Sequence, residues 1–214
     1  MIDFVSGIPI VEEPNSSASA PLNEPLKLLP ESVNATGIEH KTDEIEPSDH
    51  PARLIVFIDG ANLFHAASQM GIEIDYAKLL RYFQQNNTLI HAFFYTGVDL
   101  SNTRQQGFLM WMRRNGFRVV TKEIVLTSTG TRRVGSMNVE IAVDMMRFAV
   151  ECDTEIIISG DGDLTYAIEA VTFLGVQVEV FALRSMTSDQ LINCANTYVD
   201  LASIKDAIQK VPKS

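Results

Sequence analysis

Hydrophobic residues follow different patterns on the two sides of residue 51. Between residues 52 and 211 the chain has no proline, and short apolar runs alternate with segments whose apolar residues lie three or four positions apart. The first pattern is typical of strands buried on both faces, and the second is typical of helices that bury one face. The apolar runs predict five strands, at residues 54–58, 89–95, 117–126, 155–158 and 176–183.

The segments between these runs predict helices. Three helix starts are marked by residues that often cap helices, namely Asp75, Ser101 and Ser188. Gly116 is expected to end the helix that Ser101 opens, and further helices are expected over about residues 137–152 and 164–174. Strands and helices that alternate in this way predict an α/β fold, with a mostly parallel sheet covered by helices on both faces.

The first 50 residues lack this periodicity. Seven of the eight prolines lie at or before residue 51, and Phe4 is the one aromatic residue of the segment. With two basic and ten acidic residues, the segment carries −8 of the total charge of −10. Such a segment buries too little apolar surface to offset the entropy of ordering. We therefore expect a disordered acidic tail over residues 1–50, with docking on protein partners as one alternative, and one domain over residues 51–210.

The composition excludes several classes of protein. Two cysteines, Cys152 and Cys194, do not make a disulfide framework or a four-cysteine zinc site. No apolar run reaches the roughly 20 residues of a membrane span, and no basic region precedes an apolar stretch at the N-terminus. A cytoplasmic protein is therefore expected. No glycine-rich phosphate-binding pattern supports dinucleotide or nucleoside triphosphate binding.

Aspartates follow the first and the fourth predicted strands. Asp59 ends the first strand, and Asp161 and Asp163 come just after the fourth. Because parallel strands end at one edge of a sheet, we expect these three side chains to lie close together there. Carboxylates that are brought together repel each other unless a cation neutralises them, and hard oxygen ligands suit Mg²⁺ or Mn²⁺. The alternative for each aspartate alone is a turn or a helix cap.

A fourth acid, Asp144, interrupts an apolar stretch of the helix predicted between these strands. Glu140 lies one turn before Asp144 on the same side of the helix. On another side, Ile141, Met145 and Phe148 form an apolar stripe that can be buried. If this side faces the sheet edge, Asp144 completes the acidic cluster. A solvated helix face or a bond to Arg147 is the alternative.

Three segments resemble, in this order, the signature segments of NYN domains, and most closely those of the LabA-like branch. They are residues 57–64 (FIDGANLF), 139–145 (VEIAVDM) and 158–164 (ISGDGDL). NYN domains are PIN-like ribonuclease folds, so the resemblance, over about residues 53–200, implies a three-layer sandwich of about five mostly parallel strands flanked by helices. It also implies RNA cleavage that depends on Mg²⁺ or Mn²⁺. The matching positions make Asp59, Asp144, Asp161 and Asp163 the catalytic and metal-binding acids, with Asn62 holding Asp59.

The chain departs from the family pattern at one position. Many members carry an aspartate where this chain has Asn138. An amide oxygen still binds metals but adds no negative charge, so cation binding is expected to be weaker. Two functions stay open: a metal-dependent ribonuclease with a regulatory role, or a non-catalytic LabA-type regulator of circadian output and gene expression that binds RNA or protein.

Basic residues are concentrated in one part of the domain. Between residues 104 and 133 there are seven basic residues and one acid, Glu123. The seven are Arg104, Arg113, Arg114, Arg118, Lys122, Arg132 and Arg133. Phosphate contacts need such cations, and Arg132 and Arg133, just before the acid-bearing helix, are the best candidates, with Arg113 and Arg114 next. Solvated helix faces are the alternative.

Two aromatic residues and the oligomeric state complete the expectations. Phe64 and Trp111 are candidates for base stacking, although helical spacing favours packing in the core for Trp111. The sequence does not fix the oligomeric state, so a homodimer stays one alternative.

Overall fold

The computed structural model describes residues 51–126, 132–133 and 135–211, with the backbone alone for residues 125, 126, 132 and 133. The tail predicted for residues 1–50 lies outside this part of the chain. Strands and helices alternate along the described part, so the predicted α/β class is confirmed. In chain order the elements are β1 (Ala52–Asp59), α1 (Gly60–Met70), α2 (Tyr76–Gln84), β2 (Asn87–Val98), α3 (Thr103–Arg114), β3 (Phe117–Glu123), β4 (Val125–Leu126), β5 (Arg132–Arg133), α4 (Asn138–Phe148), β6 (Thr154–Ile158), α5 (Thr165–Phe173), β7 (Gln177–Ala182), α6 (Asp189–Cys194), β8 (Thr197–Asp200) and α7 (Lys205–Ile208).

Six of these strands form one sheet in the order β3-β2-β1-β6-β7-β8, and every neighbouring pair in it is parallel. The chain builds outward from β1 through β2 and β3, then returns to the other side of β1 and builds outward through β6, β7 and β8. The strand order therefore reverses between β1 and β6. In open parallel sheets, ligands bind outside the carboxyl ends of the strands at such a point. Asp59 ends β1 and residues 159–163 follow β6, so the predicted acids lie there.

Two apolar layers cover the sheet. Leu54, Val56 and Ile58 of β1 pack against α1, α2, α3 and α7, whereas Ile55 and Phe57 pack against α4, α5 and α6. All five side chains are fully buried, and each such burial stabilises the fold by about 1.5–3 kcal/mol. This burial on both faces explains why β1 is a continuous apolar run. No helix in the described part is long and apolar enough to cross a membrane.

The structure differs from the predicted elements in several places, and the helices α1 and α7 were not predicted at all. The sheet has a sixth strand, β8, whose four residues are too few to show a pattern. Asn102, not Ser101, caps α3 by accepting a hydrogen bond from the backbone N–H of Gln105, while the Ser101 hydroxyl donates to Asp99. The long third strand is two strands, β3 and β4, and β4 leaves the main sheet to pair with β5. The helix cap predicted at Asp75 is confirmed. The helix end predicted at Gly116 is also confirmed, and the φ angle of this glycine is +90°.

One acid lies inside the second apolar layer. Glu155 on β6 is fully buried, and neither carboxylate oxygen has a hydrogen-bond partner among the described residues. An ionised carboxylate loses its hydration in such a place. Burial therefore raises the pKa of Glu155 from 4.5 to about 8, and the folded chain keeps this proton at neutral pH.

We predict that this proton makes stability depend on pH. The unfolded chain releases it near pH 4.5 and the folded chain near pH 8, so stability is full below the first pKa and falls as pH rises towards the second. The loss is at most about 1.4 kcal/mol per pH unit. Glu155→Gln should remove this loss, whereas Glu169→Gln, at an exposed position of α5, should keep it. Urea unfolding at about pH 5 and about pH 8 measures the effect, and equal pH dependence of all three proteins would contradict it.

Candidate functional site

Asp59 stands where β1 passes into α1. Its Oδ1 accepts hydrogen bonds from the backbone N–H groups of Ala61 and Asn62, at 3.0 and 3.1 Å, and so caps the helix. Gly60 follows because the chain is crowded there: a Cβ atom would lie 2.6 Å from the Phe94 ring and 2.8 Å from the carbonyl oxygen of Tyr95. These contacts fix the direction of the Asp59 side chain at the sheet edge.

Two hydrogen bonds join this turn to the loop that follows β6. The backbone N–H of Gly160 donates to Oδ1 of Asn62 at 3.1 Å, and the Ser159 hydroxyl donates to Oδ2 of Asp59 at 3.4 Å. A side chain at Gly160 would collide with the backbone carbonyl of Met186, so glycine is required where the loop passes this segment. In the structure, Asn62 therefore connects the two strand ends and does not bond to Asp59 through its side chain.

Asp161 follows directly and is held on both oxygens. Its Oδ1 accepts from the backbone N–H of Asp163 at 3.0 Å, and its Oδ2 accepts from Nδ2 of Asn138, the first residue of α4, at 2.8 Å. Burial raises the pKa of Asp59 above its ordinary value, and the charge of Asp161 raises this pKa further. The two backbone hydrogen bonds to Asp59 lower its pKa, but by less. The two carboxylates are thus close enough to repel each other.

Asp144 is held separately by a residue of the neighbouring strand. Tyr95 on β2 pairs with Asp59 in the sheet register, and its hydroxyl donates to Oδ2 of Asp144 at 2.9 Å. Burial, with the charge of Asp144, raises the pKa of Tyr95, so its hydroxyl remains a donor. Arg147, the alternative partner considered for Asp144, lies over the ring of Phe148.

The four predicted acids do not form one group. Asp163 is exposed, and it is Asp161, not Asp163, that caps the short 3-10 turn Gly162–Leu164 before α5. Among the described residues, no three His, Cys, Asp or Glu side chains lie close enough together to hold a metal ion. Asn138 bonds to Asp161, and Asp161 raises the pKa of Asp59. The Asp144 carboxylate bonds to Tyr95, and the Asp163 side chain is exposed.

The basic residues divide between the two edges of the sheet. Arg113 and Arg114 end α3 just before β3 begins, which places them at the amino edge, opposite the acids. Arg132 and Arg133 form β5, which pairs with β4 beyond the carboxyl end of β3, but their side chains lie outside the described residues. The ribbon of β4 and β5 therefore lies on the side of the sheet that carries the acids.

The aromatic candidates also divide. Phe64 is exposed on α1, about one turn after the Asp59 cap. Trp111 is 42% exposed and lines a cleft with Gly71–Tyr76 and the residues after α7. The helical spacing predicted that Trp111 packs in the core. Met112 and Phe108 do pack there, but Trp111 does not.

The sequence did not predict the roles that three residues play near this site. Tyr95 holds Asp144, and Ser159 bonds to Asp59. Lys122 pairs with Glu140 at 2.7 Å and donates to the backbone carbonyl of Ser136 at 2.7 Å, which joins the end of β3 to the start of α4. Tyr95 and Ser159 were detectable as polar groups at the ends of apolar runs, whereas the Lys122 contact depends on a chain path that periodicity does not predict.

Comparisons with known proteins identify the family of this chain. Residues 53–202 match the NYN domain family. The protein "Low amplitude and bright protein LabA" of Synechococcus elongatus is 32% identical over 170 residues, which cover 76% of this chain and 91% of LabA. The crystal structure of a Vibrio parahaemolyticus protein of unknown function matches with a TM-score of 0.66 at 25% identity, over 77% of this chain and 100% of that protein. With the family match over most of its length and LabA as a relative, this chain belongs to the LabA-like NYN domain family, whose fold is PIN-like.

Proposed function

We propose that this chain is a divalent-metal-dependent ribonuclease that acts at the sheet edge between β1 and β6. The observation that carries the proposal is the pair formed by Asp59 and Asp161, which the Ser159 hydroxyl links by donating to Asp59 and accepting from the backbone N–H of Asp161. In the described part of the chain, no basic side chain is bonded to either carboxylate. Membership of a PIN-like nuclease family supports the same reaction. The similarity to LabA supports a regulatory role for this RNA cleavage.

The chemistry of the donor set fits Mg²⁺ or Mn²⁺. Asp59, Asp161 and the amide of Asn138 offer oxygen atoms, the ligands that these ions prefer. The pair of acids lacks a neutralising charge, which a divalent ion provides. Because Asn138 replaces an acid and Asp144 stands apart, the site holds less negative charge than a set of four carboxylates. We therefore propose weak metal binding, with Asp144 and Asp163 orienting water or acting as outer ligands.

The residues of this chain supply orientation and proton handling. A bound Mg²⁺ or Mn²⁺ polarises a phosphate oxygen and lowers the pKa of a bound water. Two backbone N–H groups hold the Asp59 carboxylate in one orientation, and Asn138 does the same for Asp161. Tyr95 holds Asp144 towards the end of β2. Asp163 is exposed two residues after Asp161, and it is the proposed acceptor of a proton from an attacking water.

RNA contact is proposed for the ribbon of β4 and β5. Phosphates approach through contacts with cations, and Arg132 and Arg133 lie in the backbone segment that leads into α4 at the edge of the acids. Arg113 and Arg114 are at the other edge, so an RNA strand at Asp59 has less access to them. Exposed Phe64 is the proposed stacking group on α1.

A second function is a regulator that binds RNA without cleaving it. The hydrogen bond from Asn138 to Asp161 favours it, because it occupies one carboxylate oxygen and adds no charge for a cation. In this function the sheet edge recognises RNA or a protein, and control of gene expression follows from binding. Metal-dependent cleavage separates the two functions.

We predict that Asp59→Asn abolishes RNA cleavage and metal-dependent stabilisation. The amide keeps the shape of the cap but removes one of two negative charges, so the melting temperature without metal should change little. Asp206→Asn, at an exposed position of α7, is the matched control and should behave as wild type. Thermal melting with and without Mn²⁺, together with cleavage of a labelled RNA, measures both effects. Full cleavage by a folded Asp59→Asn protein would contradict the proposal.

We also predict that Asn138→Asp strengthens metal binding. The new carboxylate would lie beside Asp161, where it replaces a hydrogen bond of 2.8 Å with a like charge. Stability without metal should therefore fall, and the dissociation constant for Mn²⁺ should fall at least about tenfold, since each added ligand charge favours the cation. Asn193→Asp on the exposed face of α6 is the control. Cleavage gained by this variant, with none in wild type, supports the second function; unchanged Mn²⁺ affinity contradicts the site.

The two pairs of arginines give a third test. Reversing the charge of Arg132 and Arg133 together should weaken RNA binding strongly and lower the salt dependence of the affinity by about 1–2 in slope. The same reversal of Arg113 and Arg114 changes the net charge equally but should have a smaller effect. Fluorescence anisotropy of a labelled RNA at several salt concentrations measures this. Equal losses of RNA affinity for the two pairs would contradict the proposal that RNA binds at the edge that carries the acids.

A further inference from the structure

Two arginines lie over one aromatic ring on the face of the sheet that α4 covers. The guanidinium carbon of Arg118, on β3, is 5.7 Å from the centre of the Phe148 ring and 5.6 Å from the centre of the Phe93 ring. The guanidinium carbon of Arg147, in the last turn of α4, is 5.2 Å from the centre of the same Phe148 ring. The two guanidinium carbons are therefore within about 11 Å of each other. We call Arg118 and Arg147 the arginine pair.

The arginine pair has no acid as a partner. Among the described residues, no ion pair joins an acid to Arg118 or Arg147. His91 packs against the same two rings, and Glu151 pairs with this histidine at 3.6 Å. The dipole of α4 stabilises Arg147 at the C-terminal end of the helix, whereas Arg118 belongs to a strand and has no such stabilisation. Two like charges that are held together without a counterion attract an anion.

The donors of the arginine pair are accessible, whereas the rings beneath are not. Both arginines are exposed, but Phe93 and Phe148 are only 4% and 6% exposed. Arginine stacks on an aromatic face with its planar guanidinium and binds phosphate with two N–H groups of the same plane. Because the rings are covered, a base cannot stack on them. The arginine pair is therefore suited to backbone phosphates and not to base recognition.

The arginine pair lies close to the candidate site. Arg118 is in register with Phe93, two residues before the position of β3 that pairs with Tyr95, and Tyr95 pairs with Asp59. The spacings of a parallel sheet put the Cα atoms of Arg118 and Asp59 roughly 12 Å apart. Side chains alternate along a strand, so Lys122 lies on the same face of β3 as Arg118, between it and the ribbon of β4 and β5. Positive charge thus continues along β3 from the ribbon to the arginine pair.

We propose that Arg118 and Arg147 bind backbone phosphates of the RNA strand that reaches Asp59 and Asp161. This inference rests on the proposed function and extends the RNA contact from the ribbon along the edge strand β3. The path stays on the face that α4 covers, whereas Arg113 and Arg114 belong to α3 on the other face. Because the contacts are with phosphates, the affinity gained is the same for RNAs of unrelated sequence.

Fluorescence anisotropy of labelled RNAs of about 12 nucleotides tests the arginine pair, with the full chain and with EDTA present so that no RNA is cleaved. Arg118→Gln combined with Arg147→Gln should raise the RNA dissociation constant at least about tenfold. It should also lower the salt dependence of the affinity by about 1.4 in slope, the value for two phosphate contacts with a single strand. Two RNAs of unrelated sequence should show the same loss.

Two further variants separate RNA binding from net charge and from folding. Arg81→Gln combined with Lys210→Gln removes the same charge from exposed positions in the other layer, and RNA affinity should stay within about twofold of wild type. Arg118→Lys combined with Arg147→Lys keeps the charge but loses the planar fork, so it should recover part of the affinity. Thermal melting shows whether each variant is folded.

The outcomes distinguish this inference from the proposed function. Equal RNA affinity of wild type and the Arg118→Gln/Arg147→Gln variant would overturn the inference and leave cleavage at Asp59 untouched. A loss no larger than that of the control in the other layer would also overturn it, as would a wild type that binds no RNA. The predicted loss of affinity, in a chain that cleaves no RNA when Mn²⁺ is added, would support the arginine pair and overturn only the proposed cleavage.

Discussion

The parallel pairing of β1 with β6 is the interaction on which the candidate site depends. The ladder runs from Leu54 opposite Thr154 to Ile58 opposite Ile158, and it brings residues about 100 positions apart in the chain to one edge of the sheet. Side chains buried on both faces of the two strands fix the register, since a shift by one residue would turn every side chain to the other face. The bond from Gly160 to Asn62 then closes the gap between the strand ends. Asp59 and Asp161 are held together against their repulsion by this apolar ladder.

Much of the fold follows from local patterns, whereas the contacts of the site depend on tertiary structure. Continuous apolar runs identify β1 and β6 because both faces of each strand are buried. The placement of Asp59 and Asp161 follows from the rule that parallel strands end at one edge. The roles of Asn138 and Tyr95 did not follow, because each side chain bonds to an acid far away in the chain. The same rule places Arg113 and Arg114, which directly precede β3, at the edge opposite the acids, although we had expected them to contact RNA.

Helix α4 connects three features of the molecule. Its first residue, Asn138, bonds to Asp161, and Asp144 in its middle is held by Tyr95. One apolar face anchors the helix on the sheet, which keeps both polar residues at the edge, and the other apolar face is exposed. Lys122 fixes its start from the end of β3.

We propose that Asp59 and Asp161 form a site for a divalent cation. Crystals soaked in Mn²⁺ test it most directly, because anomalous scattering locates the ion without reference to activity. We expect one peak within bonding distance of a carboxylate oxygen of each residue, at about 2.0–2.3 Å. No peak at this position with millimolar Mn²⁺, while the two side chains keep their hydrogen bonds to Asn62 and Asn138, would contradict it.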